Sequence, residues 1–226
     1  PQLIKNAMNL GAANYRGGLL LYEPFDYSGT DISASGVWTD NVSRPNEARG
    51  TVGDIGLSGD GTSPDYPGPG GAKGARVADG NGGTARRDLG FAMPPAADND
   101  YYVSMLVRGS GLLQLYGTVS GADYVRAFLG ITDAGQFTVG SVPNTKEALS
   151  SSYSNGTYDS DETYLLVAKI DANTSVDDVF SLKIYDESMT PDLTEPTSFD
   201  LTATNGSGVN LNKLFLGMTA GGQIDE

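Results

Sequence analysis

The chain has 226 residues, room for one large all-β domain or two small ones, and 31 of them are glycine, which favours many turns and short strands over long helices. Its 28 acidic and 14 basic side chains leave a net charge of −14, which argues against a nucleic-acid partner and against docking on anionic lipid. Histidine and cysteine are absent, which excludes disulfides, zinc fingers, thiol nucleophiles and imidazole-based triads.

Residues 1–16, "PQLIKNAMNLGAANYR", stand apart from the rest. Leu3, Ile4, Ala7 and Met8 fall on one face at helical spacing, which predicts a short helix ending near Gly11. Two roles are open to this segment: a loose leader, or a docking arm that packs on a neighbour. Residues 17–226 then form a single domain. A start at Pro1 points to a processed chain or to part of a longer one. No apolar run is long enough to span a bilayer, so membrane insertion is not expected.

A strand is predicted over 18–23, inside "LLLYEPFDYSGT" at 19–30. Residues 28–74 are rich in Gly, Pro, Ser and Asp and read as a long irregular region. A loop of that length in a compact domain suggests function or wrapping. Trp38, the only tryptophan, is either a core anchor or a sugar-stacking platform. From residue 84 the pattern becomes regular. Strands are predicted over 101–108, 112–119, 123–131, 135–142, 162–170, 178–185, 197–204 and 211–218. The alternation is cleanest in "DVFSLKIY", where Phe180, Leu182 and Ile184 oppose Ser181 and Lys183. Successive strands with no helical segment between them predict an antiparallel β-sandwich. The acidic runs "DSDE" at 159–162 and "VDD" at 176–178 read as solvated loop charges.

The blocks "LLLYEPFDYSG", "YYVSMLVR", "TYLLVAKIDANTSVDDVFSLKIYD" and "LFLGMTAGGQIDE" occur in this order. Together they resemble the concanavalin A-like lectin/glucanase superfamily, and in particular laminin G-like jelly rolls of secreted or surface-anchored bacterial proteins. The resemblance spans roughly residues 18–226. It implies an all-β fold, a jelly roll of two curved antiparallel sheets. It also implies that "IDE" belongs to a strand near the N-terminal one. A chain stopping at Glu226 would leave that edge open to a neighbour. The Glu-x-Asp-x-Glu cluster that glucanases of the superfamily carry on one strand is missing here. A lyase using Tyr with Arg or Lys remains open.

These observations lead to a non-enzymatic extracellular or bacterial cell-surface protein with a lectin-like jelly roll, a virion surface being the alternative location. Such a protein would be a structural or adhesive subunit that self-associates through residues 1–16 or the terminal edge strand. A carbohydrate-binding module that meets polysaccharide is the alternative, and a glycan-active hydrolase or lyase is a third reading. The resemblance further implies a calcium ion shared by Glu23 of "YEPFD" and Asp225 of "QIDE". Gly-rich carbonyls would complete a shell of about 6–8 oxygens. Asp26 is read as capping the turn at Ser28–Gly29.

Overall fold

The computed structural model describes residues 36–40, 49–53, 73–77, 83–93, 99–119, 122–141, 150–154, 156–172, 177–186, 188–189, 196–205, 211–218 and 222–225. They form strands β1 (Thr39–Asp40), β2 (Arg49–Gly53), β3 (Lys73–Val77), β4 (Gly83–Met93), β5 (Asn99–Arg108), β6 (Gly111–Val119) and β7 (Ala122–Ile131). The second half supplies β8 (Phe137–Ser141), β9 (Ser150–Tyr153), β10 (Thr163–Ala172), β11 (Asp178–Tyr185), β12 (Leu201–Asn205), β13 (Leu211–Met218) and β14 (Gln223–Asp225). No described residue is helical. No helix among them is long and apolar enough to cross a membrane.

The strands make two antiparallel sheets. Sheet A runs β1-β4-β13-β6-β7-β8-β9, and sheet B runs β12-β11-β10-β5-β14-β3-β2. Period-two alternation gives each strand one face for the interior. Sheet A supplies Ala85, Leu113, Leu115, Leu129, Val139 and Leu216 to the core, and sheet B supplies Met105, Val107, Leu166, Phe180, Leu182 and Ile224. Each such large side chain contributes about 1.5–3 kcal/mol by leaving water. The all-β sandwich read from the sequence is therefore what the molecule forms.

Several strands begin or end where a local contact forces them to. Gly109, at φ 69°, lies in the two-residue link that carries the chain from β5 in one sheet to β6 in the other. Between β7 and β8 the turn closes through the Gly135 N–H on the Thr132 carbonyl (2.9 Å), with Gly135 at φ 75°. The strand expected at 197–204 starts only at Leu201, because residues 197, 198 and 200 are bends. Asp200 explains the delay. Its carboxylate accepts the Ile184 N–H (2.8 Å) and pairs with Lys183 (3.2 Å), while its own N–H donates to the Leu182 carbonyl (2.9 Å).

Three expectations need correction, and one strand lies where none is predicted. The region 28–74 is not wholly irregular, since β1, β2 and the start of β3 fall within it. Strand β9, "SSSY", has no hydrophobic alternation and could be seen only from its pairing with β8. The terminal strand is not an edge. Ile224 of β14 sits opposite Val107 on one side and Ala75 on the other, and the outermost described strands of sheet B are β12 and β2. Finally, Asp178 is not a solvated charge. It opens β11 two residues before Phe180 and four before Leu182, so alternation turns it inward, and it is fully buried. The segment 1–16, its helix, the strand at 18–23, Glu23 and Asp26 lie outside the described residues.

The link from β9 to β10 is clasped at Tyr164. Its ring meets Phe137 edge-on at 4.9 Å. Its hydroxyl donates to Glu162 (2.8 Å) and accepts the Asp159 N–H (3.0 Å). Burial, reinforced by the hydrogen bond and charge of Glu162, pushes the phenol up to about 12, against the lowering effect of the Asp159 N–H. The folded state thus keeps a proton that the unfolded chain releases near pH 10. The stabilisation is fully present below pH 10 and is lost as pH rises from about 10 to about 12. Denaturant midpoints measured across that window should fall more steeply for the wild type than for Tyr164→Phe. Equal slopes would refute the role assigned to this phenol.

Trp38 is 1% exposed and belongs to the core cluster, which removes the sugar-stacking alternative for it. As the only tryptophan it reports on the interior alone. Its fluorescence should be blue-shifted in the native state and shift red on unfolding, and Trp38→Ala should cost about 3–5 kcal/mol in denaturant titration.

Candidate functional site

Alternation that fills the core also decides what sheet A shows on its other side. Thr39, Arg86, Phe215, Gln114, Phe128 and Gly140 stand opposite one another in register across β1, β4, β13, β6, β7 and β8. Their chain neighbours Trp38, Ala85, Leu216, Leu113, Leu115, Ala127, Leu129 and Val139 all belong to the core. The row therefore faces away from sheet B. Adjacent strands lie about 4.8 Å apart, so the stretch from Arg86 to Phe128 spans roughly 14 Å.

At the centre of this face the rings of Tyr116 and Phe215 stack, with centroids 3.9 Å apart and planes at 25°. Phe215 is buried and Tyr116 is half-buried. The Tyr116 hydroxyl donates to Gln114 Oε1 at 3.1 Å, which fixes the orientation of both side chains. The ladder to β7 shifts register between Leu115 and Tyr116, while the regular ladder to β13 sets Tyr116 directly opposite Lys213. Lys213 in turn faces Asp88 of β4. Arg86, Gln114 and Lys213 are half-buried, while Asp88 is exposed. Arg86, Tyr116 and Lys213 are each held by further contacts.

Beyond this cluster the face changes character, and Thr138 there is buried. Gly217, Leu112, Gly130, Thr138 and Tyr153 form the next row, with Tyr153 exposed on the edge strand β9. Gly130 has φ 145°, and a Cβ there would run into the Gly111 carbonyl oxygen, so β6 and β7 meet backbone to backbone.

The outer face of sheet B is built differently. Lys169 pairs with Asp100 (3.0 Å) and lies 6.0 Å from the centre of the Tyr102 ring. Lys183 pairs with Asp200 (3.2 Å), 5.8 Å from the Tyr185 ring. There each lysine is already matched by a carboxylate and a ring. On sheet A, Arg86, Gln114 and Lys213 hold register positions beside the Tyr116–Phe215 stack.

The residues predicted for calcium are not among those this face gathers. Glu23 lies outside the described residues, and Asp225 is on β14 opposite Leu106. Among the described residues no group of three or more acids forms a metal cluster. Sequence reasoning missed Arg86, Gln114, Tyr116, Lys213 and Phe215. The signal was present in "LLQLYG" and "LNKLFLGM", where polar or aromatic residues alternate with leucines. What the sequence concealed was that these two strands are neighbours.

No family model matches the chain, and no curated protein matches it. Solved structures do. An endo-β-1,4-glucuronan lyase from the fungus Trichoderma reesei is 8% identical over 80% of this chain and 87% of that one, with a TM-score of 0.41. The alginate lyase Aly36B is 13% identical over 89% and 94%, with a TM-score of 0.32. The carbohydrate-binding module CBM40 of the Ruminococcus gnavus IT-sialidase, bound to α2,3-sialyllactose, is 14% identical over 63% and 88%, with a TM-score of 0.29. None of these TM-scores reaches 0.5, and the fold assignment rests on the strands and registers above. The expectation that the chain is not an enzyme does not stand. Two of the three proteins just named are polysaccharide lyases. The outer face of sheet A also carries groups for acid–base chemistry that needs neither histidine nor cysteine.

Proposed function

We propose that the outer face of sheet A binds a glycan and that the chain serves as a carbohydrate-binding or glycan-active domain. One observation carries this reading: the Tyr116–Phe215 stack is flanked in register by Arg86 on one side and Gln114 on the other. A sugar ring offers an apolar C–H face and a rim of hydroxyls. An aromatic floor takes the first, and amide, guanidinium and phenol groups take the second.

A second reading, cleavage of the glycan, is favoured by the direct opposition of Tyr116 and Lys213. A phenol and an ammonium side by side can take and return a proton at one substrate atom. On either reading the sandwich is proposed to be a concanavalin A-like jelly roll over residues 17–226 that works outside the cell or at a bacterial surface. Self-association through residues 1–16 is a separate proposal, tested by whether deleting them changes the oligomeric state.

Calorimetric titration with a panel of neutral and acidic oligosaccharides tests the glycan face. Tyr116→Ala should weaken binding by about 1 kcal/mol, roughly fivefold, and Lys183→Ala on the opposite sheet should leave it unchanged. Release of reducing ends or unsaturated sugars, lost in Tyr116→Phe, would establish the second reading. No binding to any member of the panel would refute both.

Glu23 and Asp225 are proposed to share a calcium ion, which supplies a cross-link between distant parts of the chain. A chelator should lower the melting temperature of the wild type and leave that of Asp225→Ala unchanged. An unmoved wild-type melting temperature would reduce both acids to surface charges.

A further inference from the structure

The glycine at position 217 has no explanation inside the molecule. It sits within β13, where a residue without a side chain weakens the strand. Two reasons ordinarily keep a glycine in a strand: a left-handed backbone angle, or the close approach of another chain segment. Gly130 shows both, with φ 145° and the Gly111 carbonyl oxygen where its Cβ would be. Gly217 shows neither. Its φ lies outside the left-handed range, and a Cβ built there meets no atom of the described residues within 4 Å. The open space is on the outer face of sheet A, because the preceding residue, Leu216, belongs to the core.

We infer that the glycan lies along the β6–β13 seam, with one sugar ring on the Tyr116–Phe215 stack and the next in the space over Gly217. The inference rests on the glycan-binding reading above and adds the direction of the sugar chain and the residue that admits its second ring. Three outward pairs follow one another along this seam: Tyr116 with Lys213, Gln114 with Phe215, and Leu112 with Gly217. Successive pairs lie about 7 Å apart along the strands, a step comparable with the advance of one sugar residue along a chain. Leu112, half-buried beside Gly217, offers the second ring an apolar contact for its C–H face. Gln114 stands between the two positions. Its Oε1 accepts the Tyr116 hydroxyl, which leaves its amide N–H groups as donors for hydroxyls of either ring. The direction across the sheet is less open: Phe128, Gly130 and Thr138 on β7 and β8 are buried, whereas Leu112 and Gly217 are only half-buried.

The test titrates the full chain with β-1,4-linked oligomers of glucose, mannose and glucuronate, each of one, two and four sugar residues. For the sugar that binds, the wild type should hold the two-residue ligand at least about tenfold tighter than the one-residue ligand. Gly217→Val should bring the two within about threefold of each other, and Gly217→Ala should fall between. The melting temperature of Gly217→Val should equal or exceed that of the wild type, since valine suits a strand and its Cβ meets open space. Wild-type affinity of Gly217→Val for the two-residue ligand would overturn the inference and leave the glycan-binding reading intact. A lowered melting temperature would also overturn it, by showing that the fold itself needs glycine at this position. Loss of the one-residue ligand along with the longer ones would place Gly217 under the first ring and overturn it in turn. Failure of every oligomer to bind would remove the reading and the inference together.

Discussion

The meshing of Leu113, Leu115, Leu129 and Leu216 from one sheet with Met105, Leu166, Phe180 and Leu182 from the other is the contact on which the rest of the molecule depends. It fixes register. Because side chains alternate every residue, a slip of one position in β6 would put Gln114 and Tyr116 inside and Leu113 and Leu115 outside. The penalty for burying an unmatched amide and exposing two leucines is several kcal/mol, so the slip is suppressed without any dedicated device. The face that carries Arg86, Phe215 and Gln114 is thus positioned by residues packed on the other side of the sheet.

That dependence also accounts for what could be read in advance. The strands at 101–108, 112–119, 123–131 and 211–218 were legible because "LLQLY" and its counterparts alternate leucines with polar or aromatic residues, and alternation is a local property. The polar "SSSY" of β9 was not legible, because its pairing with β8 carries no trace in its own composition. Neither was the burial of Asp178, since loop-like acidic neighbours disguise a position whose parity is that of Phe180 and Leu182. The candidate site was hidden for a related reason. Its members belong to β4, β6 and β13, whose adjacency follows from topology and not from any motif. The absence of histidine and cysteine was overvalued: it excludes particular chemistries, but a tyrosine and a lysine set opposite each other on neighbouring strands were not excluded.

The two outer faces show how similar residue types can be put to different uses. On sheet B, Lys169 and Lys183 are each engaged by an aspartate and an aromatic ring, so their charge serves the sheet itself. Exposed pairs of this kind add little stability individually, about 0–1 kcal/mol. On sheet A the register between β6 and β7 shifts next to Tyr116, one strand from Phe215. Irregularities of that sort bend a strand and re-aim its side chains.

The insertion of β14 between β3 and β5 has a consequence for how the chain comes to be folded. Residues 73–77 and 49–53 pair with each other, and β14 is the described strand that joins them to the body of sheet B. During synthesis at about 5–20 residues per second, β2 and β3 emerge on the order of ten seconds before Gln223–Asp225. Through that interval the β5 side of the growing sheet is a vacant slot. Three residues then close it, with Ile224 as the single wedge into the core. Assembly of this sheet therefore waits on a very long-range contact, the kind that slows folding most and leaves an unfinished edge in need of protection while the ribosome is still at work.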